Sequence, residues 1–445
     1  MKNVLSLNQF SVFLYRILLG FYLLFSLGQR SQDLSIHYSD QGVLTTDDIF
    51  KLYDFWVPSV HLLSGNSSFQ LGLFLLSALL AVAIIFGHRT KWALFLSWLL
   101  LNSLHFRNPW VLDAGDEILL LSLFWTIFLP DELLDSKPVI FKNDKTASIF
   151  SMGNLGFIFQ LCCIYFFSAL LKLQSHWLID SGGLYYALKS QSTSGIALFL
   201  LSFPKEFFKV MNVVVLFLEL LGPLLLFIPQ KSHLLRKWIP VIFIFFHLSI
   251  GFVLEIWRFS IFCMILWIPL LSGEVWKSMH ETHMMSFYSI TSFSGSILRS
   301  FKAIVFWLFL LTIFSANLFS VGIMPIEWMK FFNPILFPTQ THQNWNMFTN
   351  ELVKVNRRWI FLGVMENGQK VNLSDYSFSP DHLGLRWSNY LGGLDYNGEN
   401  IHHLRLATIL CRSNRLLEVS IQKIEIKDPG HLVMYNKKFR CLLQK

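Results

Sequence analysis

The sequence predicts an all-α polytopic membrane bundle of about nine spans with a small extramembrane α/β domain at its C-terminal end. The chain of 445 residues is 53% hydrophobic and only 14% charged, whereas soluble domains carry about 25% charged residues. Several apolar stretches reach the roughly 20 residues that a helix needs to cross a bilayer. After residue 322 the sequence becomes polar and rich in turn residues, which predicts a second domain there.

The transmembrane domain is expected to cover residues 1–321, and the extramembrane domain residues 322–445. The predicted spans lie at about 8–27, 68–87, 92–106, 114–130, 148–172, 207–228, 238–254, 256–273 and 301–321. A shorter apolar piece at about 194–203 is too brief to cross and is expected to be re-entrant or interfacial. The first span carries Arg16 in its middle and lacks a small-residue cleavage site, so it is expected to be a retained helix.

Loop charges predict the orientation of this integral membrane protein. The loop at about 28–67 is rich in Asp, whereas the loops at 88–91 and 230–237 are basic and are expected to be cytoplasmic. Counting spans from these loops places residues 322–445 outside the cytoplasm. The net charge of +8 fits basic loops near lipid head groups, so membrane lipids are the expected partners and nucleic acid is not.

The C-terminal domain shows the patterns of a small α/β unit. Residues 358–373 contain Asn367-Gly368, a turn signal between two partly apolar stretches, which predicts a hairpin. Leu417, Val419 and Ile421 alternate with polar residues, as in a half-buried strand. Residues about 400–413 are expected to be helical.

The five cysteines fall into two groups. Cys162, Cys163 and Cys263 lie within apolar helices, where cysteine packs as a small hydrophobic residue. Cys411 and Cys441 lie in the polar C-terminal part and are able to pair if that part is extracytoplasmic. The cysteine spacing does not suggest zinc, and no metal is predicted.

Lys172 ends a long segment without charge, because no Asp, Glu, Lys, Arg or His occurs from Thr146 to Leu171. Two interpretations are open. Desolvation by apolar neighbours disfavours the charged form of a lysine, so Lys172 would serve as a general base. Alternatively, Lys172 snorkels to the interface together with Trp177 as a membrane anchor.

Asp116 follows Gly115 at the start of an apolar segment, shortly after Arg107. Ionisable groups in apolar segments are costly unless they are paired, so each is a functional candidate. Asp116 would orient or neutralise a cation such as Arg107 or Lys172. The structural alternative is that its carboxylate stabilises the positive N-terminal end of a helix.

Two further polar sites interrupt or follow the apolar segments. His247 lies in the middle of a Phe-rich span, where it would bind metal, relay protons or hydrogen-bond a lipid headgroup, or else be satisfied by a neighbouring helix. Gln343-Asn344-Trp345-Asn346-Met347-Phe348 follows the last span. By composition it is an amphipathic strip in which Trp345 and Phe348 rest on lipid.

Taken in order, these pieces resemble the horizontally transferred transmembrane (HTTM) domain that is shared with vitamin K-dependent gamma-glutamyl carboxylase. The resemblance covers most of residues 1–321. Its motifs are, in chain order, His37-Tyr38-Ser39-Asp40 with Gln41-Gly42-Val43-Leu44, Arg107 with Gly115-Asp116, Lys172-Leu173 with Trp177 and Gly183, His247, and Trp345-Asn346-Met347-Phe348.

The resemblance implies a catalytic base, because carboxylases use a lysine that precedes a leucine shortly before a tryptophan, and Lys172 matches that position. In that chemistry the base deprotonates reduced vitamin K, and reaction with dioxygen yields a strong base that allows glutamate to capture carbon dioxide. Carboxylases carry two successive lysines where this chain has Leu171-Lys172. They also carry an Asn-His pair near the position of Ala114-Gly115-Asp116, and a large lumenal region of which residues 322–445 supply only a fragment.

The sequence therefore predicts a carboxylase-like, lyase-related membrane enzyme that acts on reduced vitamin K, another quinone or another lipid-soluble substrate. Lys172, His247 and Asp116 are the candidate catalytic residues. Arg107, Trp177 and Trp345 are the candidate substrate-binding residues. The alternative is a non-catalytic membrane protein that binds a lipid or assists a partner protein.

Overall fold

The structure is a computed structural model of the whole chain. It describes residues 5–53, 57–134, 148–175, 177–178, 182–191, 194–227, 233–277, 296–347, 355–373, 386–387, 389–391, 400–414, 416–427 and 431–441. Phe348, which the sequence predicted to rest on lipid, lies outside these residues.

The chain folds into two compact units, and each is assembled from separated segments. The first unit comprises Met1–Ser26, Ser77–Leu99 and Glu117–Asn350. The second unit comprises Leu27–Leu76, Leu100–Asp116 and Glu351–Lys445. Residues from before position 322 are thus part of the same compact unit as the polar C-terminal region.

Helices dominate the described part of the chain up to residue 339, and one more described helix follows in the C-terminal region. The first eight are α1 (Gln9–Gln32), α2 (Leu34–His37), α3 (Thr46–Leu52), α4 (Ser67–Phe86), α5 (Thr90–Arg107), α6 (Ala114–Ile127), α7 (Asp131–Leu134) and α8 (Met152–Gln174). The others are α9 (Gly182–Gln191), α10 (Gly195–Leu201), α11 (Lys205–Leu221), α12 (His233–Leu254), α13 (Trp257–Trp267), α14 (Gly273–Lys277), α15 (Ser296–Ser320), α16 (Ile326–Thr339) and α17 (Asn400–Asn414).

Within the described residues, five helical segments are long and apolar enough to cross a membrane. These are Gln9–Gln32, Ser67–Phe86, Met152–Gln174, Lys205–Phe227 and Lys237–Leu254. Two shorter apolar helices cover Trp257–Leu270 and Phe306–Ser320. The prediction of a helical membrane protein is confirmed at this level, whereas the predicted number of nine spans is not confirmed.

Helix α8 carries several buried polar side chains of the first unit and has clear boundaries. Ser151 precedes it with extended backbone and accepts a hydrogen bond from the backbone N–H of Asn154, as an N-cap does. Ser175 returns to extended backbone after the last turn. Tyr165, Ser168 and Lys172 recur at the three- and four-residue spacing that puts side chains on one helix face.

The second unit contains a four-stranded antiparallel sheet in the order β4-β3-β5-β6, formed by β3 (Val355–Met365), β4 (Lys370–Asn372), β5 (Leu416–Lys427) and β6 (His431–Arg440). Strands β3 and β4 form the predicted hairpin, with Leu362 paired to Asn372. Gly368 adopts a φ of 79° in the turn, which glycine tolerates without steric cost. A separate short pair joins β1 (Leu7–Asn8) to β2 (Ser148–Ile149) in the first unit.

One residue of the predicted strand is displaced by a β-bulge. Val419 and Ile421 are buried as predicted, but Leu417 is 38% exposed and Leu416 takes the buried place. The register shifts at this point, because Val364 pairs with Glu418 while the next residue of β3 pairs with Leu416. A bulge inserts one unpaired residue and turns its side chain away from the expected face, so the prediction for Leu417 was wrong.

Helix α17 packs against β5, and its residues Leu406, Ala407 and Leu410 are buried. A disulfide joins Cys411 of this helix to Cys441, which directly follows β6. The bridge closes a loop of sequence separation 30 and restricts the unfolded chain. The helix expected at about 400–413 is confirmed.

Candidate functional site

Lys172 is buried in the first unit rather than exposed at a lipid-facing surface. Only 2% of it is accessible, and its Nζ lies 2.7 Å from Oε2 of Glu219 in α11. The same Nζ donates a hydrogen bond of 2.7 Å to the hydroxyl of Ser168, one turn earlier in α8. The amine is therefore held by one carboxylate and one hydroxyl within an apolar helix pair, and the interpretation as a snorkelling anchor does not fit.

Trp177 lies next to this pair. The Lys172 Nζ lies 5.3 Å from the centre of its indole ring, within the range of a cation–π contact. Asn212 of α11 fixes Trp177, because the Asn212 Nδ2 donates to the Trp177 carbonyl at 3.0 Å and the indole Nε1 donates to the Asn212 carbonyl at 3.2 Å. A Cβ at Gly183 would overlap the indole, so only glycine allows this close packing.

Glu219 is the functional residue that sequence reasoning missed. It is the only ionisable residue between Val210 and Phe227, and it is 7% exposed. A lone carboxylate in a membrane-length apolar segment is the same signal that singled out Lys172. Together the amine and the carboxylate can hold, accept and release a proton at a site from which water is largely excluded.

A second polar chain in the first unit includes His247. Its Nε2 lies 2.6 Å from the hydroxyl of Tyr165 in α8, and the indole N–H of Trp267 donates to that hydroxyl at 2.7 Å. All three side chains are nearly inaccessible. Tyr165 contacts His247, and Ser168 and Lys172 follow it at helical spacing on the same face of α8.

Trp345 is completely buried in a cluster of amides, so the prediction that it rests on lipid was wrong. Gln343 and Gln160 of α8 exchange two hydrogen bonds of 2.9 Å. The Oε1 of Gln343 also accepts from Asn317 at 2.9 Å and from the indole of Trp345 at 3.2 Å. Buried amides need such partners, and these bonds hold the segment after α16 against α8 and α15.

Asp116 belongs to the second unit, where two arginines share its carboxylate. Arg386 donates to both oxygens, at 2.9 and 3.0 Å, and Arg30 Nη2 lies 2.8 Å from Oδ1. Asp116 also exchanges hydrogen bonds with Asp113 at the start of α6, as expected for a helix N-terminal carboxylate. The cations expected for Asp116 have other carboxylate partners, since Lys172 pairs with Glu219 and Arg107 with Asp40.

Arg107 is buried in the second unit beside the loop that contains the His37–Leu44 motif. Its guanidinium donates to the Leu44 carbonyl at 2.9 Å and to Asp40 Oδ1 at 3.1 Å. Asn108 donates to the His37 carbonyl at 2.9 Å. A Cβ at Gly42 would overlap the backbone of Ile36 in α2, so the loop after α2 turns back tightly against this helix.

His37 is enclosed by aromatic rings of the second unit. Its ring centre lies 4.6 Å from that of Trp387 and 5.9 Å from that of Tyr390, and only 1% of the residue is accessible. Burial, reinforced by the positive charges of Arg386 and Arg30, lowers the pKa of His37 from 6.5 to about 3. The imidazole is therefore neutral at physiological pH.

Acidification is expected to destabilise the protein through His37. The pKa of His37 is 6.5 in the unfolded chain and about 3 in the folded chain. Between these two pH values the unfolded chain binds a proton at His37 that the folded chain does not bind. The free energy of unfolding should thus decrease as the pH is lowered through this window, by up to about 1.4 kcal/mol per pH unit for this group. Thermal unfolding in detergent between pH 7.5 and 4.5 should show a flatter profile for His37→Phe, and parallel profiles would contradict the prediction.

The predicted site residues thus occur in both units. Lys172, Trp177, His247 and Trp345 belong to the first unit, whereas Arg107 and Asp116 belong to the second. Among the described residues, no group of three or more His, Cys, Asp or Glu side chains is arranged to hold a metal ion. The buried pair Lys172–Glu219 is the candidate functional site of the first unit.

Comparisons with protein-family models, with curated proteins and with solved structures found no match to this chain. The HTTM resemblance therefore stays a prediction from its sequence motifs.

Proposed function

We propose that this protein is a carboxylase-like membrane enzyme of the HTTM superfamily, in which Lys172 and Glu219 remove a proton from a lipid-soluble substrate. The observation that carries the proposal is the buried amine–carboxylate contact of 2.7 Å between two apolar helices. Buried ion pairs are costly to desolvate, so such a pair is weak evidence for stability alone. Ionisable residues inside membrane segments commonly serve proton transfer or ligand binding.

The proton balance of the proposed step involves two side chains. When the shared proton lies on the Glu219 carboxylate, the Lys172 amine is neutral and accepts a proton from a substrate hydroxyl. The products are the Lys172 ammonium ion and the substrate oxyanion, held side by side. The Ser168 hydroxyl, 2.7 Å from Nζ, keeps the amine oriented, and exclusion of water strengthens its attraction to the oxyanion.

One observation supports a reduced quinone as the substrate: the buried Lys172 amine lies beside the indole ring of Trp177 in an otherwise apolar setting. Lys172 would contact the quinol hydroxyl and Trp177 would pack against the ligand. A reduced quinone supplies an acidic hydroxyl in a molecule that partitions into lipid and reacts with dioxygen. The lyase-type step with carbon dioxide depends on the family resemblance alone.

Replacing Lys172 tests the base directly. We expect Lys172→Arg and Lys172→Ala to lower dioxygen-dependent oxidation of reduced vitamin K by at least about 100-fold, because general-base catalysis contributes roughly 10²–10⁴-fold. Arginine keeps the positive charge but does not release its proton in proteins. The measurement is product formation by chromatography with purified protein, and Lys209→Arg on an exposed part of α11 is the matched control.

Equal rates for the wild type and Lys172→Arg would show that the amine is not the base. Absence of quinol-dependent turnover in every sample would favour the alternative, a non-catalytic lipid-binding or partner-assisting protein. Thermal unfolding of each variant distinguishes a lost base from a lost fold.

We further propose that the C-terminal region, residues 322–445, lies outside the cytoplasm. The Cys411–Cys441 bridge supports this location, because disulfides persist in oxidising compartments and are rare in the cytosol. The acidic character of the loop at 28–67 and the basic loops at 88–91 and 230–237 agree with it.

Thiol labelling in sealed vesicles of known orientation tests this topology. Cys411 and Cys441 should react with a membrane-impermeant maleimide only after an impermeant reductant is added on the extracytoplasmic side. A Cys411→Ser/Cys441→Ser variant controls for the three buried cysteines. Labelling without reductant, or from the cytoplasmic side, would contradict the proposed location.

A further inference from the structure

His247 has one ring nitrogen that is bonded and one that is not. Its Nε2 lies 2.6 Å from the Tyr165 hydroxyl, whereas Nδ1 is buried without a hydrogen-bond partner in the part of the chain that the structure describes. The residue is 2% exposed and lies within α12. A polar atom left unbonded in an apolar setting is costly and calls for an explanation.

The donors around Tyr165 decide which His247 nitrogen carries the proton. The indole N–H of Trp267 is able only to donate, so the Tyr165 oxygen accepts from it at 2.7 Å. We assign the Tyr165 hydroxyl hydrogen to His247 Nε2 as acceptor, because the opposite direction would leave this buried hydroxyl hydrogen without an acceptor among the described residues. A neutral imidazole that accepts at Nε2 carries its proton at Nδ1, so the unbonded atom is a donor.

The surroundings of His247 restrict what this donor binds. The imidazole centre lies 5.2 Å from the ring of Phe246 and 5.7 Å from that of Phe259, both in edge-on geometry. Phe243 and Trp267 stack at 4.1 Å on the Tyr165 side. Aromatic walls beside an unbonded N–H suit a largely apolar molecule that presents an acceptor oxygen.

We propose that His247 Nδ1 donates a hydrogen bond to a carbonyl oxygen of an apolar, ring-containing ligand. The quinone class of this ligand rests on the proposed function, but the binding role does not require that Lys172 be a base. Tyr165 and Trp267 are positioning residues, because they fix the tautomer that presents the donor.

Binding of 2-methyl-1,4-naphthoquinone, the oxidised form, to the full-length protein in detergent tests this site without turnover. His247→Gln keeps a group at the Nε2 position but removes the Nδ1 donor, so the dissociation constant should rise about tenfold. His247→Asn keeps a donor near Nδ1 and loses the contact with Tyr165, so it should bind close to the wild-type strength. The infrared carbonyl band of the bound quinone should lie at lower frequency in the wild type and His247→Asn than in His247→Gln.

Equal affinity and an unshifted band in the wild type and His247→Gln would overturn the proposal, as would the absence of binding to the wild type. The binding measurement involves no turnover, so loss of quinol oxidation or failure of the base hypothesis for Lys172 leaves this result intact. If His247→Gln does not fold, the infrared carbonyl band of the bound quinone is measured in the wild type, His247→Asn and Tyr165→Phe instead. A band at the frequency of a quinone without a hydrogen-bond donor in all three proteins would overturn the inference.

Discussion

Replacing Asp116 with asparagine is expected to lower the free energy of unfolding by about 3–5 kcal/mol, because removing one partner of a buried ion pair leaves charge without compensation. Two guanidinium groups depend on this carboxylate, since Arg386 binds it with two hydrogen bonds and Arg30 lies 2.8 Å away. Asparagine preserves the shape of the side chain but cannot neutralise either cation. Thermal and denaturant unfolding in detergent measure the loss.

Asp131→Asn is the matched control for this substitution. Asp131 also forms an ion pair, with Lys91 at 2.9 Å, but its side chain is 61% exposed. Exposed pairs contribute about 0–1 kcal/mol, so this variant should unfold close to the wild type. Equal losses in both variants would show that burial of Asp116 does not decide its contribution.

Replacing Glu219 with leucine is expected to cost about 3–5 kcal/mol as well, because it leaves the buried Lys172 ammonium without its carboxylate. Lys172→Met should cost a similar amount by leaving Glu219 unpaired. The double variant removes both charges and places apolar side chains in an apolar setting. It should therefore lose much less than the sum of the single variants.

This double-mutant cycle separates the stability of the site from its chemistry. The double variant should be folded but inactive towards a reduced quinone. If the pair had only a structural role, the folded double variant would keep the activity of the wild type. Glu206→Leu, at an exposed position in the first turn of the same helix, is expected to change the unfolding free energy by less than about 0.5 kcal/mol. Additive losses from Glu219→Leu and Lys172→Met would contradict coupling between the two side chains.

The contacts of Asp116 and of Glu219 join residues that are distant in sequence, so the sequence alone did not predict them. The features that it did predict are local. Hydropathy located the apolar helices, because a helix that crosses lipid satisfies its backbone within a continuous segment of about 20 residues. The Asn367-Gly368 turn and the apolar pattern of β5 are equally local. The bulge that exposes Leu417 depends on the register with β3, and no local pattern specified it.

The candidate site was only half predictable. Lys172 was recognisable as a cation at the end of an uncharged run, and Glu219 carried the same local signal in its own segment but was not singled out. Their pairing joins residues 47 positions apart. Tyr165 and Trp267 gave no signal at all, because aromatic residues are common in apolar helices and become polar partners only when a buried acceptor faces them.

The sequence by itself determined that this chain is largely apolar and helical, that its C-terminal part contains a small sheet, and which charged residues stand in apolar segments. These properties follow from local composition and periodicity. Only the tertiary structure decided that Lys172 is buried against Glu219 and that Asp116 pairs with Arg386, 270 positions away in the chain. The physical reason is that a buried charge takes its partner from whichever element folds beside it, and that neighbour is not written in the adjacent sequence.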